Sequence, residues 1–404
     1  MIETFTCKNG LRIVLEPVST VRSVSIGIWI QTGSRHETKN NNGISHFLEH
    51  MLFKGTKHRT ARQIAEAFDS IGGQVNAFTS KEYTCLFARV LDTYKEHALD
   101  VLSDMLFNST FLDTEIEREK NVIMEEINMY EDTPDDYVHD LLAEASFGEH
   151  SLGMPIIGSE KQIQSFSKQS LTNYMKTFYA PDNIVVSISG NVETSFFQQI
   201  ESFFDRFNQS ETEVQQEKPI FQAQQLIKHK EIEQAHVCFG YPGLAVNDPY
   251  IPSLLIVNSV LGGGMSSRLF QEVREERGLA YSVFSYHATY TDSGLLTIYA
   301  GTNKEQVQLL QTTISETVSE LTENGLKDKE IENSKEQLKG NIMLSLENTH
   351  SRMSRNGRNE LLLKKQRTMD DIIREIDSVN QQTINKVLEQ TLCNTPSQAI
   401  VLPE

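Results

Sequence analysis

The chain has 404 residues, of which 38% are hydrophobic and 23% charged, and these values predict a globular protein of two domains. Its formal net charge of −18 argues against a nucleic-acid-binding surface, which needs clustered Lys and Arg. The acidity is compatible with a cavity that attracts basic peptides, although ordinary solubility is the simpler explanation. There is no apolar run of about eighteen residues, so we expect no transmembrane helix and no membrane partner.

The cysteines and the first residues bear on cellular location. The four cysteines lie far apart and form no CxxC pair, which is typical of buried, reduced thiols: Cys7, Cys85, Cys238 and Cys393. Residues 1–7 lack the basic and apolar segments of a secretory signal and the arginines of a transit peptide. We therefore expect a cytoplasmic protein, and the lack of a transit peptide favours a bacterial source without deciding the organism.

The first half of the chain alternates strand and helix patterns. Strands are predicted at 12–16, 23–31, 74–79, 83–90 and 183–189. Helices are predicted at 45–53 and 60–71, along a helical stretch after Asp92 that includes 114–130, and after the last strand to about 207. Ser45 is the expected N-cap of the first helix, which Lys54-Gly55 would end.

The second half repeats the order of the first. Residues 208–225 are rich in Gln, Glu and Ser, contain Pro219, and are predicted to be a linker. Strands then follow at 236–241, 280–288, 295–300 and 399–402, with helices at 249–261, 307–321 and 329–346. The repeated order predicts an internal duplication, with one domain at 1–207 and its counterpart at 226–404.

The segment His46-Phe47-Leu48-Glu49-His50 has the spacing of a metal site. On a helix, positions 46 and 50 project from the same face, so both imidazoles can reach one zinc ion. Glu49 lies on the flank of that face, where it can contact a water molecule without ligating the metal. This HxxEH pattern reverses the HExxH order of another class of zinc proteases, and roughly a few per cent of chains this size carry it by chance.

The alternative is an ordinary amphipathic helix with exposed polar residues. Apolar neighbours on both sides of the motif predict a largely buried helix, on which unpartnered His and Glu side chains would be costly. We therefore favour the metal site. Alignment of residues 115–127 with 330–342 gives the duplication an offset of 215 residues. At that offset the three motif residues correspond to Leu261, Gly264 and Met265, so only the first domain carries the motif.

The third ligand should come from another element. The predicted helix at 114–130 carries Glu119 and Glu126, which are two turns apart and share a face. One of them can ligate the metal while the other supports a histidine N–H. The spacing alone leaves open which does which.

Several segments together resemble one enzyme family. They are Gly33–Glu37, Gly43–Thr56, Gly72–Thr79, Glu117–Glu126, Tyr179–Asn183, Leu261–Leu269 and Arg277–Ser282. These segments span nearly the whole chain, which resembles the insulinase (pitrilysin) superfamily, and most closely the branch of the mitochondrial processing peptidase and its bacterial relatives.

The resemblance implies a role for each site residue. It makes His46, His50 and Glu126 the ligands of one Zn²⁺ per subunit, Glu49 the general base and Glu119 the supporting carboxylate. It also makes Arg274 and Tyr281 a pair that contacts substrate and stabilises the tetrahedral intermediate. From the sequence alone, Arg274 would be an ordinary residue on a helix surface and Tyr281 an ordinary core residue. The strand at 74–79, through Asn76, Ala77 and Phe78, is expected to bind the substrate as an added extended strand.

The resemblance also implies the architecture. We expect an α+β fold of two homologous α/β halves, each an antiparallel sheet packed against helices. Four such halves enclose a clamshell chamber in this family, so a chain with two halves should pair as a homodimer, or as a heterodimer with a metal-free partner. In the homodimer, the metal half of each subunit would face the Arg274 and Tyr281 half of its partner.

The expected function is that of a zinc metalloendopeptidase that hydrolyses unfolded peptides or presequence-like segments inside a closed chamber. The alternative is a non-catalytic scaffold subunit of the same superfamily, which the presence of all the metal-site residues disfavours. A metal-storage or regulatory protein, which would bind zinc without cleaving peptides, is a third possibility.

Overall fold

The structure is a computed structural model that describes residues 2–205 and 216–404. The described chain forms two compact units that are interleaved in sequence. Unit 1 contains 2–127, 155–205 with 216, and 344–368, whereas unit 2 contains 128–154, 217–343 and 369–404. The predicted domains at 1–207 and 226–404 were contiguous and differ from these units by two exchanged segments, 128–154 and 344–368. Residues 208–215 of the predicted linker at 208–225 lie outside the described residues.

The described residues form the following strands: β1 Glu3–Thr6, β2 Arg12–Pro17, β3 Ser23–Ile30, β4 Gln74–Thr79, β5 Thr84–Leu91, β6 Ile184–Gly190, β7 Gln225–Lys230, β8 Ala235–Pro242, β9 Ser282–Thr289, β10 Gly294–Thr302 and β11 Ser397–Pro403. The predicted strands are confirmed as β2 to β6 and β8 to β11, with small differences at their ends. Sequence analysis did not predict β1 and β7, which are short and mostly polar.

The helices are α1 Ile44–Leu52, α2 Ala61–Asp69, α3 Lys95–Asn108, α4 Asp113–Glu131, α5 Pro134–Phe147, α6 Glu160–Ser165, α7 Lys168–Phe178, α8 Phe196–Phe204, α9 Ile251–Gly262, α10 Val307–Asn324, α11 Asp328–Ser345, α12 Thr349–Leu363, α13 Met369–Asp377 and α14 Gln381–Gln390. A π-helical segment occupies Phe270–Glu276. No described helix is both long enough and apolar enough to cross a bilayer.

Unit 1 is built on a six-stranded sheet in the order β1-β2-β6-β3-β5-β4. The β2–β6 pair is parallel and the other pairs are antiparallel. Because strand side chains alternate between faces, Ile26 and Ile28 of β3 enter a large core with α1 and α3, whereas Trp29 lies on the opposite face. There Trp29 packs against α12, and a Cβ at Gly357 would lie 2.3 Å from the indole nitrogen, so this close approach requires glycine.

Unit 2 repeats the plan with a five-stranded sheet in the order β7-β11-β8-β10-β9. Its β7–β11 pair is parallel, and its other pairs are antiparallel. The core on one face includes residues of α9, α10 and α14, and α5 packs on the other face. The expected α+β fold, with two similar halves each made of a sheet and helices, is therefore confirmed, and each sheet contains one parallel pair within a mainly antiparallel arrangement.

The interleaving has a simple physical cause in each unit. Helix α12 lies on β2, β3 and β6 of unit 1, and α5 lies on β8 and β11 of unit 2. Each helix covers an apolar sheet face that would otherwise meet water. Each unit therefore includes a helix that lies outside its predicted sequence range.

Candidate metal centre

Helix α1 presents its two histidines on the side that does not enter the core. Phe47, Leu48 and Met51 are buried in the core of unit 1, whereas His46 and His50 are half-buried. The imidazole ring centroids lie 4.6 Å apart. The core-facing side chains therefore fix the rotation of the helix and, with it, the direction of both imidazoles.

The start of α1 is set by a residue that sequence analysis missed. Glu37 is buried, and its carboxylate accepts hydrogen bonds from the backbone N–H groups of Gly43 at 2.7 Å and Ser45 at 2.8 Å, and from the Asn42 side chain at 3.0 Å. The predicted N-cap, Ser45, is wrong, because the helix begins at Ile44 with Gly43 as N-cap. Gly43 has a φ of 92°, which favours glycine. An acidic residue shortly before a helix was the available signal.

Helix α4 brings Glu126 to the two histidines. Glu126 Oε1 lies 3.7 Å from His46 Nε2, and Glu126 Oε2 lies 3.6 Å from His50 Nε2. One donor atom from each of the three residues lies within 4.8 Å of the others, and no other such group of His, Cys, Asp and Glu occurs in 2–205 or 216–404. These distances are too long for hydrogen bonds.

The three residues fit a tetrahedral metal ion. Two ligands bound to zinc at about 2.0–2.1 Å are roughly 3.4 Å apart, close to the observed separations. His46 Nδ1 is buried and has no hydrogen-bond partner in 2–205 or 216–404, so no hydrogen bond from this nitrogen orients the ring. Two imidazoles and one carboxylate also leave a fourth position free, as hydrolytic zinc sites require.

Glu119 contacts His50 on the side of the ring opposite Glu126. Its Oε1 lies 2.8 Å from His50 Nδ1, and its Oε2 lies 2.6 Å from Lys54 Nζ. The spacing in the sequence left open which of Glu119 and Glu126 would ligate a metal; in the structure Glu126 faces the Nε2 atoms of both histidines, and Glu119 faces Nδ1 of His50.

The ionisable groups of the site are shifted in different directions. Burial lowers the pKa of His46 to about 3, and the charge of His50 adds to this shift. For His50, burial favours the neutral ring, but the hydrogen bond with Glu119 and the nearby carboxylates outweigh it and raise the pKa. For Glu119, burial is outweighed by hydrogen bonds with His50 and Lys54, which lower the pKa.

Glu49 lies beside the three residues and is held by the edge strand. Thr79 Oγ1, at the end of β4, donates a hydrogen bond to Glu49 Oε2 at 2.5 Å. Burial raises the pKa of Glu49, and the Thr79 hydrogen bond opposes this shift. Thr79 was not among the predicted site residues, although it follows the predicted substrate residues in the same strand.

The predicted substrate residues lie on β4, the last strand of the unit 1 sheet among the described residues. Asn76, Ala77 and Phe78 pair with Phe87, Leu86 and Cys85 of β5. The β4 edge away from β5 has no strand partner in this sheet. An extended peptide can therefore add to it through backbone hydrogen bonds.

Arg274 and Tyr281 belong to unit 2 and lie side by side. The Arg274 guanidinium carbon is 4.6 Å from the centre of the Tyr281 ring and 4.7 Å from that of Phe270. The Tyr281 side chain is 80% exposed, so its hydroxyl is open to solvent in this chain. Tyr281 is therefore a surface residue of unit 2, and not the core residue that its sequence pattern alone predicts.

Comparison with known proteins identifies the family. Residues 12–160 match the family model described as Insulinase (Peptidase family M16), and residues 165–338 match one described as Peptidase M16 inactive domain. The chain is 56% identical over its full length to "Uncharacterized zinc protease YmxG" of Bacillus subtilis, covering 98% of that protein. It is 40% identical to "Uncharacterized zinc protease SCO5738" of Streptomyces coelicolor, over 98% of this chain and 89% of that protein.

Solved structures show the same fold. A protease from Helicobacter pylori superposes with a TM-score of 0.92 at 22% identity, over 100% of this chain and 99% of the other. A structure from Pseudomonas fluorescens described as a peptidase M16 inactive domain superposes with a TM-score of 0.91 at 20% identity, over 100% and 98% of the two chains. From the sequence and domain matches, the chain is a member of the insulinase (M16) peptidase family.

Proposed function

We propose that this protein is a zinc-dependent endopeptidase that cleaves peptides bound in extended conformation. The observation that carries the proposal is the convergence of His46, His50 and Glu126 within 4.8 Å. The relatives named as zinc proteases, one of them identical at 56% of positions, support the same conclusion. The half that matches the inactive-domain model is the half that lacks the HxxEH motif.

In this proposal His46, His50 and Glu126 hold one Zn²⁺ per chain. Zinc supplies Lewis acidity at the site, which polarises a peptide carbonyl and makes water a stronger acid. Glu119 supports the Nδ1 side of His50, so that the Nε2 lone pair points to the metal position.

Glu49 is the proposed general base. It takes a proton from the attacking water and later delivers it to the leaving amine. The hydrogen bond from Thr79 fixes one carboxylate oxygen and leaves the other to accept the proton. In the proposed dimer, the partner subunit's Tyr281 donates a hydrogen bond from its hydroxyl to the oxyanion that develops on the scissile carbonyl, and within each chain Arg274 stacks on the Tyr281 ring.

The substrate and the assembly extend this proposal. An extended peptide adds to β4 along Asn76, Ala77 and Phe78, and unfolded or presequence-like segments are the substrates that suit such binding. Two chains pair as a homodimer, so that unit 2 of one subunit completes the site of the other. The cytoplasm is the proposed location, since all four cysteines are free thiols, as is typical of a reducing compartment.

Metal analysis combined with peptide cleavage tests the proposed function. The purified protein should contain about one zinc per chain and cleave an unstructured peptide library, a chelator should abolish cleavage, and added Zn²⁺ should restore it. Absence of both zinc and cleavage would favour the scaffold alternative. Stoichiometric zinc without cleavage of any peptide would instead favour a storage or regulatory protein.

A further inference from the structure

Lys54 occupies a distinctive position beside the metal centre. It directly follows Phe53, the C-cap of α1, and lies four residues after His50. Its backbone N–H donates a hydrogen bond to the carbonyl of Met51. Its side chain is 29% exposed, yet its Nζ reaches inward to Glu119 Oε2 at 2.6 Å. The helix dipole favours a lysine at a helix C-terminus, but it does so equally when the side chain extends into solvent. The dipole therefore does not explain why Lys54 Nζ points inward to Glu119.

Glu119 depends on this lysine for its charge balance. The Glu119 side chain is only 3% exposed, so water does not solvate its carboxylate. Its hydrogen-bond partners in the described chain are His50 and Lys54, one on each oxygen. A buried carboxylate is stable only when its oxygens are paired, and Lys54 supplies the permanent cation.

The arrangement also restricts rotation. With Lys54 on Oε2, the carboxylate is held with Oε1 facing His50 Nδ1. The imidazole is thereby held with its Nε2 toward Glu126 Oε2, at 3.6 Å. Without Lys54, one oxygen of a buried carboxylate would be unpaired, and the side chain would turn or shift to find a donor.

We propose that Lys54 is a positioning residue for the metal centre, which orients His50 through Glu119 and thereby raises the affinity for zinc. This inference rests on the proposed function, because it concerns the same metal site. Mutation of a residue that bonds to a metal ligand, as Glu119 bonds to His50, typically lowers metal affinity about 10–100-fold. Lys54 contacts Glu119 and is one residue further from the metal position, so we expect the lower end of that range.

Zinc affinity, measured by competition with a fluorescent chelator, tests this role without relying on activity. Lys54→Met keeps the length of the side chain and removes its charge, and it should weaken zinc binding about tenfold. Lys54→Arg keeps a cation and should remain within about threefold of wild type. Lys57→Met removes one charge three residues further on, from an exposed lysine, and should leave the affinity unchanged.

Each outcome separates this inference from the proposed function. If wild type binds no zinc, the proposed function fails, and this inference falls with it. If wild type binds zinc and Lys54→Met binds it equally well, only the role of Lys54 is overturned. Equal weakening by Lys57→Met would also overturn it, because the effect would then be one of net charge.

A second readout applies to the zinc-free protein. At a pH high enough for the His50 ring to be neutral, wild type labelled with ¹⁵N-histidine should show one dominant His50 tautomer with its proton on Nδ1, because Nδ1 faces Glu119. Lys54→Met should give a mixture of tautomers, and Lys54→Arg should restore the single form. If Lys54→Met does not fold, Lys54→Gln takes its place with the same expectations. An unchanged His50 spectrum would contradict the positioning role.

Discussion

At the scale of single residues, two carboxylates of helix α4 lie near different nitrogens of the His50 imidazole. Glu126 lies 3.6 Å from His50 Nε2, and Glu119 lies 2.8 Å from His50 Nδ1. The two glutamates differ in their other partners, since Glu119 also bonds to Lys54 whereas Glu126 also faces His46. They are therefore expected to respond differently to the same substitution.

Glu126→Gln should abolish tight zinc binding while leaving the fold intact. The amide is a poor zinc ligand, and the site then offers only two imidazoles. Inductively coupled plasma mass spectrometry after dialysis should find well under one zinc per chain, roughly a tenth or less, where wild type retains its metal. Glu125→Gln, at the exposed neighbouring position, should retain wild-type zinc, and full zinc retention by Glu126→Gln would exclude Glu126 as a ligand.

Glu49→Gln should keep zinc and lose activity. Removal of the general base should lower kcat about 10²–10⁴-fold, because the amide does not accept the water proton. Peptide turnover and metal content measured on the same sample check this. Glu66→Gln, an exposed glutamate on α2, is the matched control, and normal cleavage by Glu49→Gln would show that another group acts as base.

At the scale of elements, helix α1 is fixed at its N-terminus by a short segment that precedes it. The Ser34–His36 turn is followed directly by Glu37. The Glu37 carboxylate accepts hydrogen bonds from the backbone N–H groups at the start of α1. Gly33 N–H donates to His36 Nδ1 at 3.2 Å within the same turn. This turn and the helix that carries the metal-site histidines therefore form one structural element.

Glu37→Ala should destabilise unit 1 and disturb the metal centre. It leaves buried N–H groups of Gly43 and Ser45 without partners, which costs about 1–3 kcal/mol of unfolding free energy. Urea unfolding of the zinc-free protein measures this loss. The exposed Glu66→Ala should change stability by less than about 0.5 kcal/mol, and an equally small effect of Glu37→Ala would contradict the capping role.

His36 should make the same region sensitive to acid. Burial lowers its pKa to about 4, below the unfolded value of about 6.5, so the unfolded chain binds the proton first as pH falls. Its contribution to stability is therefore complete above about pH 6.5 and is lost as the pH falls toward about 4. In zinc-free protein, His36→Asn should reduce the dependence of stability on pH across this window, whereas the exposed His58→Asn should not; an unchanged dependence in His36→Asn would contradict this assignment.

At the scale of the whole molecule, the residues of the proposed site are divided between the two units. The metal group belongs to unit 1, and the Arg274 and Tyr281 pair belongs to unit 2. The proposed homodimer joins the half-sites of different subunits, and this makes catalysis a property of the assembly.

Mixing two inactive variants tests whether the half-sites act across subunits. In isolated mixed dimers of Glu49→Gln and Tyr281→Phe, one of the two composite sites has both wild-type residues, so activity should recover to about half that of wild type. Dimers purified through two different tags make the measurement direct. No recovery in verified mixed dimers would show that Tyr281 does not act in the partner's site.

Local patterns in the sequence determined much of this protein. Helix and strand periodicity placed α1, α4 and most strands, because these elements follow from side-chain spacing within a few turns. The HxxEH spacing placed both histidines and Glu49 together for the same reason, and the family resemblance named Glu126.

Only the tertiary structure decided which helix covers which sheet and which distant groups meet at the metal centre. The exchange of α5 and α12 between units depends on apolar sheet faces that no local pattern reveals. Glu37, Thr79 and Lys54 lie in separate segments with polar side chains that, in sequence, look like ordinary surface residues. Their roles come from burial and from hydrogen-bond partners, and both are set by the packing of the folded chain.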